Sequence, residues 1–252
     1  MRTGYSAALA LKADIIVKID GDGQMDPSLI EILVAPIIAG QADYTKGNRF
    51  FNAYSTHKMP SIRLLGNLGI SLLSKFASGY WHTIDPANGF TAIHGKVLCL
   101  LPLHQISKNY FFESDMLFHL SLLRANVKSL PMPTVYSDEI SNLSILKTLL
   151  TFPSKYLNRF VRRIWWHYFA SQLSIVSLQI VLAILLLSFA SFFGGYHWWR
   201  SIASHIPATA GTVMLAGIAL LFGVQCLIGA LSADIANTPS QAIHPQISSP
   251  SL

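Results

Sequence analysis

Two long uncharged runs in the second half of the chain limit what it can fold into. Residues 170–193 (ASQLSIVSLQIVLAILLLSFASFF) and 206–233 contain no Lys, Arg, Asp or Glu. As a helix the first run is roughly 36 Å long, against a bilayer hydrocarbon core of about 30 Å. The second carries Gly211, Ala216, Gly217, Gly223, Gly229 and Ala230, small residues suited to close helix packing. Between them Tyr196, Trp198 and Trp199 suit an interfacial aromatic belt. Two buried helices of a soluble core are the alternative, and the length of the runs argues against it. Neither run is N-terminal, so neither reads as a cleaved signal peptide. The expectation is a transmembrane hairpin over 169–233.

Charge placement adds an orientation. Only 12% of residues are charged and 52% are hydrophobic, which excludes a disordered chain. Residues 1–139 are close to neutral, with 12 basic and 11 acidic side chains. Residues 140–163 then bring Lys147, Lys155, Arg159, Arg162 and Arg163 with no acid. The pI near 9.4 comes from this block. Because it directly precedes a hydrophobic run, anionic lipid rather than nucleic acid is the expected partner. By the positive-inside rule residues 1–168 and the tail from Asp234 face the cytoplasm, which makes this an integral membrane protein. Over 155–168 Leu157, Phe160, Val161, Ile164, Trp165 and Tyr168 share one helical face, and Lys155, Asn158, Arg159, Arg162 and Arg163 share the other. That pattern describes an interfacial amphipathic helix within 141–168. The Pro/Ser-rich tail, 234–252, is expected to be disordered. Cys99 and Cys226 form neither a CxxC pair nor a disulfide framework.

The head, 1–140, reads as α/β. An apolar run over 13–20 (ADIIVKID) ends in acid, as a buried strand entering a site does. Asp26 and Pro27 open a helix that Gly40 stops. A helical pattern over 61–76 has Leu65, Leu68, Leu72, Leu73 and Phe76 as its apolar stripe. Another helix over 110–125 and a strand over 127–136 follow, so one mostly parallel sheet is the expected frame. Within it, KIDGDGQ sets Asp20 and Asp22 one residue apart beside glycines that allow a tight turn. Two crowded carboxylates favour a hard divalent cation, Mg²⁺ or Mn²⁺, of the kind that also binds phosphates. A solvated Asp/Gly turn is the alternative. The nine histidines show no HxH or HExxH spacing and no P-loop occurs.

Four blocks taken in order, KIDGDGQMDP, ADYTKGNRF, MPSIRLLGNLGISLLSKFASGYWHTIDPANGFTAI and YFFESDML, resemble the family 2 glycosyltransferases, in particular the polyprenyl-phosphate group similar to dolichol-phosphate mannose synthase. The resemblance covers residues 1–168 and implies a partial GT-A fold. It also implies metal-dependent inverting transfer of a sugar from a nucleotide-sugar donor to a polyprenyl phosphate, at the cytoplasmic face of a bacterial inner membrane. Carried over, Asp20 and Asp22 fall on the metal- and donor-binding DxD, with Gln24 beside them. Asp85, Asn88, Gly89 and Phe90 fall on the block near sugar and acceptor. Glu113 and Asp115 fall on the acidic block facing the transferring sugar, and Arg63 falls where relatives place a cation for the lipid phosphate. Taken as bare residues, Glu113 and Asp115 are also acids favoured in a first helical turn, Asn88-Gly89 is also a turn, and Arg63 is also a solvated helix residue. Ile84, Thr91 and Met25 depart from the pattern and leave the sugar open. Relatives carry a further strand–helix–strand unit before the DxD, so the chain is expected to begin inside the domain. That expectation keeps an inactive remnant or a partner subunit as the alternative function; a homo-oligomer is left open.

Overall fold

The computed structural model describes residues 1–21, 23, 25–50, 61–132 and 145–247, with backbone alone for 61–65 and 145–150. It divides into two compact units, one of residues 1–163 with the tail from Thr238, the other Ile164–Asn237.

The first unit is built on four strands, β1 (Ile15–Lys18), β2 (Tyr44–Asn48), β3 (Thr91–His94) and β4 (Val127–Pro131), in the order β1-β3-β2-β4. The sheet is mixed. β1, β2 and β4 share one direction, but β3 lies between β1 and β2 and runs against both, so that only the β2–β4 pairing is parallel. Three of the four strands share a direction, as the expected mostly parallel sheet requires; β3, a four-residue run apolar only at Ala92 and Ile93, has no direction written in its sequence. Its consequence is local: β3 starts where β1 and β2 end, with Lys18 and Lys46 both registered against Thr91.

Helices cover the sheet. α1 (Arg2–Ala10), α4 (Gly95–Leu100) and α5 (Phe112–Leu122) supply most of one core, which includes Tyr5, Tyr44, Ile93, Leu98, Met116 and Leu120. α2 (Ile30–Ile38) closes a second core of Leu33, Ile37, Phe90, Ala92 and Met132. Asp26 caps the short 3₁₀ turn before α2 through Ser28 N (2.9 Å), and Gly40 ends the segment at φ +67, as expected of a left-handed stop. α5 is buried from Phe112 to Ser121, a helix enclosed on all sides. That burial forces its two carboxylates, Glu113 and Asp115, to find partners inside the protein.

α3 (Ser61–Ser78) packs against α6 (Ile145–Trp165) through Ala77, Phe111 and Tyr156. The amphipathic pattern of α6 holds, yet part of its basic face turns to the head. Arg159 pairs with Asp115 (2.6 Å), and the Arg163 guanidinium donates twice to the Phe76 carbonyl (3.1 and 2.9 Å). Of its large apolar residues Leu157, Val161 and Trp165 are exposed, as are Lys155, Asn158 and Arg162 of the polar face. Gly79, at φ +74, leaves room for Arg163, whose Nη1 would lie 2.7 Å from a Cβ there.

The tail departs from its expectation. α8 (Ala210–Ala236) absorbs Asp234 to Ala236, and residues 238–247 pack on the head instead of being disordered. The reason is Asp43, a fully buried carboxylate. It accepts from Asn126 N (2.8 Å), Ile243 N (2.9 Å), His244 N (2.9 Å) and, from the His244 ring, Nδ1 (2.8 Å). Ile243 and Ile247 add apolar contact to the first core, and His244 stacks on His94 with ring centroids 4.1 Å apart. The composition of the tail is polar, but its backbone N–H groups are what a buried acid requires.

In the second unit α7 (Ile175–Ser204) and α8 are both long and apolar enough to cross a membrane. Only 22% and 17% of the residues in their most apolar stretches are buried, unlike helices enclosed in a soluble core. α7 runs on through Gly194-Gly195 to Ser204, so Trp198 and Trp199 stand exposed near a helix end. Gly223 admits Leu186 and Leu187 at the crossing, and Tyr168 donates to Asp234 (2.6 Å).

Candidate active site

β1 delivers Lys18 and, two residues on, Asp20 to one side of the sheet edge, as the two-residue period of an extended chain requires. β3 begins there, which places the Asn88-Gly89 turn between the carboxyl ends of β1 and β2. The Lys18 ammonium contacts Asp20 Oδ1 (2.7 Å) and the Gly89 carbonyl (3.2 Å). The Lys46 ammonium, fully buried, donates to the Asn88 carbonyl. Gly89 is required by this approach: a Cβ would sit 2.7 Å from Lys18 Nζ and overlap the Asp20 carboxylate.

Glu113, in the first turn of α5, closes the site from below. It is 7% exposed, and its oxygens lie 2.8 Å from Lys18 Nζ and 3.9 Å from Lys46 Nζ. Charge and burial compete here. Burial pulls the Lys18 ammonium down, but Glu113 and then Asp20 outweigh it, so its pKa is raised. For Lys46 burial wins over Glu113 and Asp85, and its pKa is lowered. Burial first and Glu113 second push the phenol of Tyr44 well above its ordinary value.

The remaining candidates lie in two further pairings or outside the described residues. Asp85 is held by the Arg49 fork, with Nε at 2.7 Å and Nη2 at 3.0 Å. Asp115, wholly buried, accepts from Ser107 N and Oγ (both 2.8 Å) and from Arg159 Nε (2.6 Å) and Nη2 (3.1 Å). It therefore faces α6, while Glu113, two residues earlier, faces Lys18. Asn88 turns its side-chain oxygen onto Phe90 N (2.9 Å), which fixes the turn. Arg63 lies on α3 with its side chain outside the described residues, and Asp22 and Gln24 lie outside them altogether. Among the described residues no three His, Cys, Asp or Glu gather as a metal set. Asp20 contributes hard oxygen donors with its side chain 41% exposed, which is chemically suited to a divalent cation.

Sequence reading did not assign roles to Lys18, Lys46 or Arg49, and it set Arg159 on a lipid-facing basic face, whereas its guanidinium pairs with Asp115. For Lys18 a signal was present, a lysine interrupting an apolar strand two residues before an acid and so on the same face. For Lys46 and Arg159 the partner lies far along the chain, and only the fold reveals it.

The chain is 32% identical over 136 residues to the UDP-N-acetylglucosamine–dolichyl-phosphate N-acetylglucosaminyltransferase of Methanococcus voltae, covering 54% of each. The likeness is to a glycosyltransferase. An uncharacterized protein of Methanocaldococcus jannaschii is 26% identical over 136 residues, covering 54% of this chain and 56% of that one. The chain thus spans about half the length of the curated relatives it matches. No family profile matches it. Among solved structures, glucosyl-3-phosphoglycerate synthase from Mycobacterium tuberculosis with Mn²⁺, UDP-glucose and phosphoglyceric acid aligns at TM-score 0.45 and 18% identity, over 65% of this chain and 54% of that chain. The same enzyme with phosphoglyceric acid aligns at TM-score 0.39 and 20% identity, over 62% and 52%.

Proposed function

We propose that this chain carries the sugar-transfer site of a membrane-bound, metal-dependent glycosyltransferase of GT-A type, which moves a sugar with inversion from a nucleotide-sugar donor to a polyprenyl phosphate. The observation that carries the reading is the convergence of Asp20, Glu113 and the Asn88-Gly89 turn at the carboxyl end of β1. The dolichyl-phosphate transferase likeness and the two apolar helices support the choice of a lipid acceptor and of a membrane setting, and the basic block before the first helix is the reason to set head and tail in the cytoplasm.

Asp20, with Asp22, would hold the divalent cation, which supplies charge neutralisation for the leaving diphosphate. Gln24 lies beside them for the donor. Gly89 lets the sugar come close to backbone, and Asn88 holds that backbone still through Phe90. Glu113 faces the sugar as a buried negative charge, which favours positive charge developing at the transferring carbon. The acceptor phosphate has a second pKa near about 6, so it arrives largely ionised and asks for little general-base help. Arg63 receives that phosphate. Asp85 fixes Arg49 beside the same turn, and Asp115 positions α6 through Arg159.

The test is transfer from labelled UDP-N-acetylglucosamine, and from a panel of other nucleotide sugars, to a polyprenyl phosphate by the full chain in membranes. Asp22→Asn should abolish incorporation while leaving the thermal unfolding of the protein unchanged. Undiminished transfer by that variant would refute the site. An inactive wild-type chain across the whole panel would instead favour a remnant or partner subunit.

A further inference from the structure

Lys18 occupies its site fully. Its ammonium donates to Asp20 Oδ1 at 2.7 Å and to the Gly89 carbonyl at 3.2 Å, and it forms an ion pair with Glu113 Oε1 at 2.8 Å. Its side chain is 12% exposed. Two carboxylates thus meet on one nitrogen, an arrangement that like-charge repulsion would oppose were the nitrogen removed. Glu113 has a second ammonium within reach, Lys46 at 3.9 Å on its other oxygen. Among the described residues, Lys18 is the cation that pairs with Asp20.

We propose that Lys18 is the resident counter-cation of Asp20, competing for that carboxylate with the divalent cation and so holding metal affinity down in the donor-free chain. This rests on the reading of Asp20 as a metal ligand. A metal ion arriving at Asp20 meets an ammonium on the same carboxylate. In this competition Lys18 gives up its bond to Oδ1 and keeps Glu113 and the Gly89 carbonyl, its two other partners. A residue in this role tunes metal loading. It is a positioning residue, since it touches the ligand of the metal rather than the reacting atoms.

The experiment is a Mn²⁺ titration of the full chain in detergent, with free Mn²⁺ followed by its electron paramagnetic resonance signal. Lys18→Gln removes the charge and keeps a donor for the Gly89 carbonyl. Taking one unit charge away at about 5 Å from a doubly charged ion, even screened as in water, tightens binding by roughly tenfold or more. Lys18→Arg keeps the charge and is expected to bind Mn²⁺ about as wild type does. Adding Asp20→Asn to Lys18→Gln should erase the gain; a gain that survives comes from another site and overturns the proposal. Equal or weaker binding by Lys18→Gln overturns it too, and if wild type still binds Mn²⁺ the metal reading stands. Absence of binding in every variant removes both. Should Lys18→Gln fail to fold, amine acylation of wild-type Lys18, read by mass spectrometry, must rise when Mn²⁺ is added. Unchanged labelling overturns the proposal.

Discussion

Replacing Arg159 by Met tests whether Asp115 works for the fold or stands open to a substrate. The Asp115 carboxylate is fully buried and takes two bonds from the Arg159 fork and two from Ser107. The Arg159 side chain is 18% exposed, and its guanidinium lies 5.0 Å from the Phe118 ring centroid. Two unit charges at 4 Å attract by about 4 kcal/mol at an effective dielectric constant near 20. Methionine matches the stem of the arginine but leaves the buried acid with Ser107 as its hydrogen-bond partner among the described residues, so the expected loss is about 3 kcal/mol, at the lower edge of the range for breaking a buried pair. Adding Asp115→Asn to Arg159→Met should return part of that loss, because the uncompensated charge is gone. Denaturant unfolding in detergent, followed by circular dichroism for the wild type, both single variants and the double variant, gives the coupling energy. A loss below about 1 kcal/mol, the value of an exposed ion pair, would refute the clamp and return Asp115 to the transferring sugar.

Three further outcomes follow from the geometry. Gly89→Ala should abolish transfer, since its methyl overlaps Asp20 and crowds Lys18; activity within about threefold of wild type would contradict the packing that requires glycine there. His119 is buried and its pKa is lowered to about 4, by burial first, with Asp115 opposing and Arg159 and Arg162 adding. The unfolded state therefore binds this proton more tightly, and the contribution of neutral His119 is present above about pH 6.5 and lost as pH falls toward 4. Melting temperatures across that window should fall less in His119→Gln than in wild type, and parallel curves would count against the assignment. Asp43→Ala strips the acceptor from three backbone N–H groups and the His244 ring; the expected cost is about 3 kcal/mol or more, with protease access gained at 238–247, and a tail that stays protected would sink it.

What could be read from the chain without its fold was largely whatever is local. The hairpin, the amphipathic helix, the 61–76 helix and the acid at the end of β1 each depend on a pattern within about twenty residues, where period and length decide the element. Lys18 sat in view inside the quoted strand, and its partner Glu113 sat in another quoted block, but nothing in spacing ties residues 95 positions apart. The direction of β3 was illegible because strand pairing is fixed by which edges meet, not by composition. Glu113 and Asp115 had the same local description, two acids in one helical turn. Their separate fates, one toward Lys18 and one toward Arg159, depend on the 3.6-residue rotation of a helix buried on every side.

The docking of residues 238–247 on Asp43 has a consequence for topology and for biogenesis. Chain on both flanks of the α7–α8 pair belongs to one folded body, so the two outer ends of the pair are tied together. The order of synthesis then matters. Of the four groups that donate to the Asp43 carboxylate, three belong to residues 243 and 244, made after both hydrophobic helices. The head cannot complete its own interior until the hairpin has been produced, so stopping translation after α8 leaves a buried acid short of donors. Limited proteolysis of released chains ending at 237 and at 247 would register that last step as a gain of protection around Asp43.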